Sequence, residues 1–129
     1  TAVGRRFTYH IHHELDAGRM REAGRQLVGE HDFSSFTAQA NDANPVCILR
    51  SLEVTEAPGG ESGRIDITVE SNRFLFHMVR VMAGTLMEVG RGRIEPERMA
   101  AILGKKDRRA AGPTAAAHGL MLGGVQYDK

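Results

Sequence analysis

One arginine stands out among the residues that could take part in chemistry, because it lies inside an apolar segment. Residues 74–89 read FLFHMVRVMAGTLMEV, and Arg80 and Glu88 are the two formally charged side chains in that run. A buried, unpaired guanidinium costs several kcal/mol and cannot be neutralised at ordinary pH. Its planar fork suits a carboxylate or a phosphate. Arg80 is therefore a candidate for pairing with an anion in a cleft; the alternative is an arginine that extends to the surface with only its stem covered.

The same run predicts a long helix from Phe74 to Val89, which would place other residues beside Arg80. Positions three, four and seven away share its side. They are Arg73, Phe76, His77, Ala83, Gly84 and Met87. Ala83 and Gly84 are small, so we expect another backbone or a ligand to come close to the helix just beyond the arginine.

Other reactive side chains form no recognisable catalytic or metal-binding motif. His10 and His12 lie two apart on a predicted strand and could face one direction, but no third and fourth ligands follow at a metal-site spacing. Ser34 and Ser35, with Asp32, lack the strand–turn–helix elbow of a nucleophilic serine. We therefore expect no metal site and no serine nucleophile.

Basic residues cluster at three places, although the net charge is only +1. The clusters are Arg5 and Arg6, then Arg91 and Arg93, then Lys105, Lys106, Arg108 and Arg109. If they lie on one side of the fold, they form a footprint for nucleic-acid phosphates. The alternative is ordinary solvated surface charge. The low net charge in either case excludes a globally basic protein.

Strand patterns provide the frame that must position these residues. Alternation and β-branched residues predict strands over 6–11, 46–56, 64–70 and 119–127. Turn formers in residues 57–63 join the second and third of these strands in a hairpin. The single cysteine, Cys47, excludes an internal disulfide and is predicted to be a small buried strand residue.

Helix signals complete the predicted architecture. Asp16 is a candidate N-cap and Gly29 a candidate C-cap for a first helix. A short helix is predicted from Pro96 to about Leu103. Residues 31–36 read as a turn-like element whose two phenylalanines dock on the core. Helices set among hairpin strands favour an α+β fold in one domain, a mostly antiparallel sheet with helices packed on one face.

No segment suggests a membrane or secreted protein. The apolar helix has about 16 residues and carries a charge, so it is too short and too polar to span a bilayer. The opening Arg5-Arg6 is followed by polar and aromatic residues rather than an apolar run, so no signal peptide is predicted. We therefore expect a cytoplasmic protein.

Three blocks and the opening strand resemble one protein family. In chain order the blocks are LDAGRMREAGRQLVGEHDFSSFTA (15–38), NRFLFHMVRVMAGTLMEVGRG (72–92) and KKDRRAAGPTAAAHGLMLGGVQYD (105–128). They resemble the C-terminal domain of the TruA family of tRNA pseudouridine synthases, and RRFTY at 5–9 looks like that family's Arg-x-Tyr-x-Tyr strand. The resemblance extends over essentially all of residues 1–129 and implies the pseudouridine synthase type of α+β fold.

The resemblance implies an isomerase that converts uridine to pseudouridine at positions 38–40 of the tRNA anticodon arm, without a metal or an organic cofactor. The target base leaves the stack, as chemistry on a base generally requires. The resemblance also implies a homodimer, with tRNA reaching across both subunits. The alternative is a non-catalytic RNA-binding or dimerisation module of the same fold.

The resemblance also assigns site residues. The family's nucleophile is an Asp within an Arg-Thr-Asp-x-Gly-Val-His motif of an N-terminal domain, and no aspartate here has that context. Arg80 would pair with that Asp, and Leu120 would line the base pocket. Phe7 matches the family's active-site Tyr, keeping the stacking ring without the hydroxyl, unless an offset strand makes Tyr9 the match.

Two further expectations follow from the resemblance. The residues that would contact the tRNA backbone are Arg5, Arg6, Arg91, Arg93, Lys105, Lys106 and Arg108. Because the nucleophile would lie in the N-terminal domain, these 129 residues alone are expected to be inactive.

Overall fold

The fold comprises one sheet and three α-helices, seen in a computed structural model that describes residues 4–39, 44–56 and 64–126. The strands are β1 Gly4–Ile11, β2 Gly29–Asp32, β3 Val46–Glu56, β4 Ile65–Ser71 and β5 Leu120–Gln126. The helices are α1 Ala17–Arg25, α2 Met78–Gly90 and α3 Met99–Lys105. Short 3-10 turns cover Ser34–Phe36, Pro96–Arg98, Arg108–Ala110 and Ala117–Gly119.

All five strands form one antiparallel sheet in the order β2-β3-β4-β1-β5. On β4, buried Ile65, Ile67 and Val69 alternate with partly exposed Asp66 and Thr68, so one face is dry and the other wet. Helix α1 packs on β3 and α2, and α2 packs on β1. The predicted α+β fold, with an antiparallel sheet covered by helices on one face, is confirmed.

Several local predictions are confirmed in the core and at helix ends. Phe33 and Phe36 are fully buried, with ring centroids 6.3 Å apart. Cys47 is buried on β3. The Asp16 carboxylate accepts a hydrogen bond from the Arg19 amide at 3.1 Å, so it caps α1 as predicted. The predicted hairpin loop at 57–63 lies outside the described residues.

Two predicted helix boundaries are wrong. Helix α1 ends at Arg25, and Gly29 instead begins β2 with a φ of +119°. The sequence of β2, GEHD, has no apolar alternation, so its pairing with β3 has no local signal. Helix α2 begins at Met78 rather than Phe74, because His77 has a left-handed backbone with φ 59°.

The wet face of the sheet carries a charge cluster centred on Asp66. His10 Nδ1 lies 2.7 Å from Asp66 Oδ1, and Arg64 donates from Nε at 3.1 Å and from Nη2 at 2.9 Å. The hydrogen bonds from Arg64, followed by the His10 contact, hold the pKa of the Asp66 carboxyl below its ordinary value, although partial burial opposes the shift. His10 therefore has a structural partner on this face.

Replacing Asp66 is expected to change the acid limb of the stability profile. A carboxyl whose folded-state pKa is depressed contributes stability above its unfolded value and loses it as the pH falls through the folded value. Asp66→Asn should therefore unfold at lower urea than wild type at about pH 6. The difference should narrow as the pH falls below 3.8, the ordinary Asp value. A difference that stays constant with pH would show that the charge is not its source.

Candidate functional site

Arg80 lies half-buried in the first turn of α2, and two neighbours fix its guanidinium. Nε donates to the Ala115 carbonyl oxygen at 2.8 Å, and Nη1 is 3.3 Å from His77 Nε2. The Ala115 amide donates in return to the Arg80 carbonyl oxygen at 2.9 Å. The guanidinium plane is thus held in place and does not extend freely into solvent.

The charge of Arg80 has no counter-ion in the described part of the chain. None of the ion pairs there includes Arg80, and its Nη2 makes no hydrogen bond to residues 4–39, 44–56 or 64–126. Arginine keeps its charge at ordinary pH. A fixed, partly buried cation with free donors is suited to receive a carboxylate or a phosphate.

The crossing segment (residues 111–116) holds Arg80 because it lies directly on α2. A Cβ at Gly84 would overlap the Pro113 carbonyl oxygen, so only glycine permits this approach. The Gly112 amide donates to Thr85 Oγ1 at 2.9 Å. The expected close approach of another backbone at Ala83-Gly84 is confirmed, and its occupant is this segment.

Three apolar or aromatic side chains of β1 and β5 lie on the helix-covered face of the sheet. Phe7 and Tyr9 lie two residues apart on β1, so their side chains point to the same face. Leu120 on β5 is paired with Tyr9. The Phe7 ring meets Phe74 edge-on at 5.2 Å. The sheet therefore brings the two predicted base-contacting residues, Phe7 and Leu120, to adjacent strands.

Tyr9 is the one ionisable member of this group, and the charge of Arg80 acts on its hydroxyl. It is 4% exposed, and its hydroxyl donates to the Ala116 carbonyl oxygen at 2.6 Å. Burial raises the pKa of the Tyr9 hydroxyl, and the positive charge of Arg80 partly opposes that shift. Because its hydroxyl is engaged beneath the crossing segment, Tyr9 is a core residue that supports the site, while the ring of Phe7 is less buried.

The turn before α2 places the His77 ring against Arg80 and the Phe76 ring against His77. Phe76 and His77 stack with centroids 3.9 Å apart and planes 21° apart. His77 also contacts Arg80, as described above. Arg73, predicted to share this side, instead donates to the carbonyl oxygens of Asn44 and Val46 at 2.7 and 2.9 Å. Arg73 does not share the side of Arg80, because α2 begins only at Met78 and helical spacing does not apply before it.

Arg108, a member of the third basic cluster, contacts the crossing segment that anchors Arg80. Arg108 Nη2 donates to Thr114 Oγ1 at 3.0 Å, within the crossing segment. Lys105 and Lys106 are exposed and form no ion pair with the described residues. Arg109, in contrast, is neutralised by Asp107 at 2.9 Å.

The other basic clusters lie elsewhere. Arg91 and Arg93 are exposed and both pair with Glu88, at 2.9 and 3.3 Å. Arg91 is about 16 Å from Arg80 along the axis of α2, at about 1.5 Å per residue. Arg5 and Arg6 are consecutive on β1, so their side chains leave opposite faces of the sheet. Arg91 is therefore distant from Arg80, and Arg5 and Arg6 cannot both point to the side of the sheet on which Arg80 lies.

Ser34 and Ser35 have structural partners. Ser34 Oγ donates to Asp32 Oδ1 at 2.6 Å. Ser35 Oγ donates to the Ile102 carbonyl oxygen at 2.7 Å and accepts from the Asp107 amide at 2.9 Å. Within the described ranges, no three His, Cys, Asp or Glu side chains converge as metal ligands. Nor is any helix in those ranges long and apolar enough to cross a membrane.

The sequence alone indicated no role for Ala115, Gly112 or Thr85. Ala115 and Gly112 join the crossing segment to α2 through hydrogen bonds with Arg80 and Thr85. A local signal exists: Gly112-Pro113, separated by two residues from the charged run 105–109, predicts a turn. That signal does not indicate what the segment touches, because the contact with α2 spans many residues of sequence.

This chain is similar to proteins of known family. A family model described as tRNA pseudouridine synthase matches residues 23–128. The tRNA pseudouridine synthase A of Bacillus velezensis is 42% identical over 125 residues, that of Pelobacter propionicus 47% over 123, and that of Vibrio campbellii 44% over 121.

These alignments cover nearly all of this chain but not of the relatives. The alignments with the Bacillus and Pelobacter proteins cover 96% and 95% of this chain and 49% of each relative. The alignment with the Vibrio protein covers 93% of this chain and 44% of the relative. The chain thus spans about half the length of the curated relatives it matches.

Proposed function

Because this chain belongs to the tRNA pseudouridine synthase family, we propose that it is the C-terminal half of a TruA-type enzyme acting on uridines 38–40 of the tRNA anticodon arm. In this reaction the bond from ribose C1′ to uracil N1 breaks and a bond from C1′ to C5 forms. The C5 proton leaves and N1 gains a proton. The product is an isomer, so the step balances without an oxidant or a reductant.

The observation that carries this proposal is the fixed, partly buried Arg80 without a described counter-ion. An opposite charge within a few Å keeps a carboxylate ionised even when it is partly desolvated. We assign Arg80 to hold the nucleophilic Asp of the family motif, which this sequence does not contain. The Ala115 carbonyl fixes the orientation in which the arginine meets that carboxylate.

Phe7 and Leu120 are assigned to the target base. Their adjacent strands place an aromatic ring and an aliphatic side chain on the face of the sheet that α2 covers. A ring without a hydroxyl can still stack on a base. The Tyr9 hydroxyl is already hydrogen-bonded to Ala116, so Phe7 is the better assignment for base contact.

The tRNA backbone is assigned first to Lys105, Lys106 and Arg108, because Arg108 contacts the crossing segment that anchors Arg80 and the two exposed lysines lie close to it in the chain. Arg5, Arg6, Arg91 and Arg93 would serve more distant phosphates. A cytoplasmic homodimer, with tRNA spanning both subunits, completes the proposal.

Removing the charges of Lys105 and Lys106 is expected to lower the affinity for tRNA and to make that affinity less sensitive to salt. For Lys105→Gln with Lys106→Gln in the complete gene product, the slope of log affinity against log salt should fall by about 1 for each lost phosphate contact. The control is Arg25→Gln with Arg98→Gln, which also removes two charges, since both residues are exposed and are given no RNA contact. Equal effects of the two changes would indicate general charge loss rather than a local footprint.

The function itself is tested by mapping pseudouridine in a tRNA transcript after incubation with protein. The complete gene product should modify uridines 38–40, and residues 1–129 alone should not. Robust activity from residues 1–129 would refute the assignment of the nucleophile to another segment. RNA binding without modification by the complete product would favour the non-catalytic module, for which the absence of a hydroxyl at Phe7 is the supporting observation.

A further inference from the structure

The geometry points to Phe76 as a second stacking platform, one that holds an unstacked nucleobase of the RNA beside the Arg80 site. This inference rests on the proposed function and adds a substrate-positioning residue to it. Phe76 is 53% exposed, although a phenylalanine side chain normally gains by burial. The ring lies at the entrance to α2 rather than in the core below it.

One face of the Phe76 ring is already occupied. His77 stacks on it at 3.9 Å, and His77 in turn contacts Arg80 Nη1 at 3.3 Å. The described residues supply no ring for the other face of Phe76. A base placed there would extend a stack of base, Phe76 and His77 that ends at the guanidinium.

The backbone holds this ring outward. His77 has a left-handed conformation with φ 59°, which is uncommon for a residue other than glycine. The Phe76 carbonyl oxygen accepts from the Ala38 amide at 3.2 Å and from Thr37 Oγ1 at 3.1 Å. The His77 carbonyl oxygen accepts from the Val81 amide at 2.9 Å. These hydrogen bonds fix the backbone of the turn that carries the exposed ring.

A nucleobase is the occupant that fits these observations. Proteins recognise single-stranded and looped RNA by stacking unpaired bases on aromatic side chains. The turn that carries Lys105, Lys106 and Arg108 is tied to the segment that contacts Phe76. The Asp107 amide donates to Ser35 Oγ at 2.9 Å, and Thr37, two residues after Ser35, donates to the Phe76 carbonyl oxygen. These cations can hold the phosphates that flank such a base, and the contacted base belongs to an unpaired part of the RNA.

The test uses the complete gene product with an anticodon-arm RNA, measuring binding and isomerisation separately. Phe76→Ala should raise Kd and KM by about 5- to 150-fold, the range for one lost base–aromatic stack. Its kcat should stay within about twofold, because Arg80 keeps its anchor on Ala115. Phe76→Trp should restore binding. The matched control is Met121→Ala, which removes a similarly exposed side chain (51%) on β5.

An RNA series identifies the partner base. Each loop nucleotide is replaced in turn by an abasic residue. At one position the replacement should abolish the difference in Kd between the wild type and Phe76→Ala. A fall in kcat with unchanged Kd, or no rescue by Trp, would show that Phe76 only supports His77 and Arg80 and would overturn the platform. Absence of pseudouridine formation by the wild type would instead count against the proposed function, while the binding data would still decide the platform.

Discussion

Arg80→Lys in the complete gene product should lower kcat by about a hundredfold, which corresponds to about 2.7 kcal/mol of lost transition-state stabilisation. Lysine keeps the charge, so the loss would come from geometry. Arg80 uses Nε on the Ala115 carbonyl and presents its remaining donors to the site. A single ammonium cannot make that anchoring bond and a forked contact with a carboxylate at once.

Arg21→Lys is the matched control for this experiment. Arg21 also donates from Nε to a backbone carbonyl oxygen, that of Val54 at 2.9 Å, but it lies exposed on α1. The Arg21→Lys variant should therefore have kcat and KM near the wild-type values. Single-turnover rates on an anticodon-arm RNA compare the two variants. An unchanged rate for Arg80→Lys would show that the forked pairing is unnecessary.

Gly84→Ala should destabilise the fold by about 2–3 kcal/mol and lower Tm by about 10 °C. The new methyl group would overlap the Pro113 carbonyl oxygen, and it would meet backbone rather than a flexible side chain. The crossing segment must then move away from α2. That movement would also release the Ala115 carbonyl from Arg80, so kcat should fall as well.

Gly104→Ala is the same chemical change, but it is expected to have the opposite effect on stability. Gly104 lies in α3, and a Cβ there meets nothing within 4 Å. Alanine should stabilise the helix by about 0.5–1 kcal/mol. Urea unfolding and thermal melts of both variants test the pair. If Gly84→Ala were as stable as Gly104→Ala, the crossing segment would not be tightly seated on α2.

Local patterns were sufficient to predict most of the framework. Alternation in Ile65 to Glu70 specified a strand with one dry face, because side chains on a strand point to opposite sides in turn. The apolar run around Arg80 specified a buried helix, and Asp16 specified where the first helix begins. The three blocks of residues also indicated the family to which the chain belongs. Each of these signals lies within a short stretch of sequence.

The tertiary structure alone decided what surrounds Arg80. The Ala115 carbonyl that fixes the guanidinium is 35 positions away in the chain, and the Tyr9 hydroxyl reaches Ala116 across 107 positions. It also decided that Gly29 begins a strand at one end of the described sheet, and that Arg108 rather than Arg91 or Arg93 contacts the segment that anchors Arg80. These contacts depend on which segments the sheet and helices bring together, and packing between distant segments leaves no periodic trace in the residues on either side.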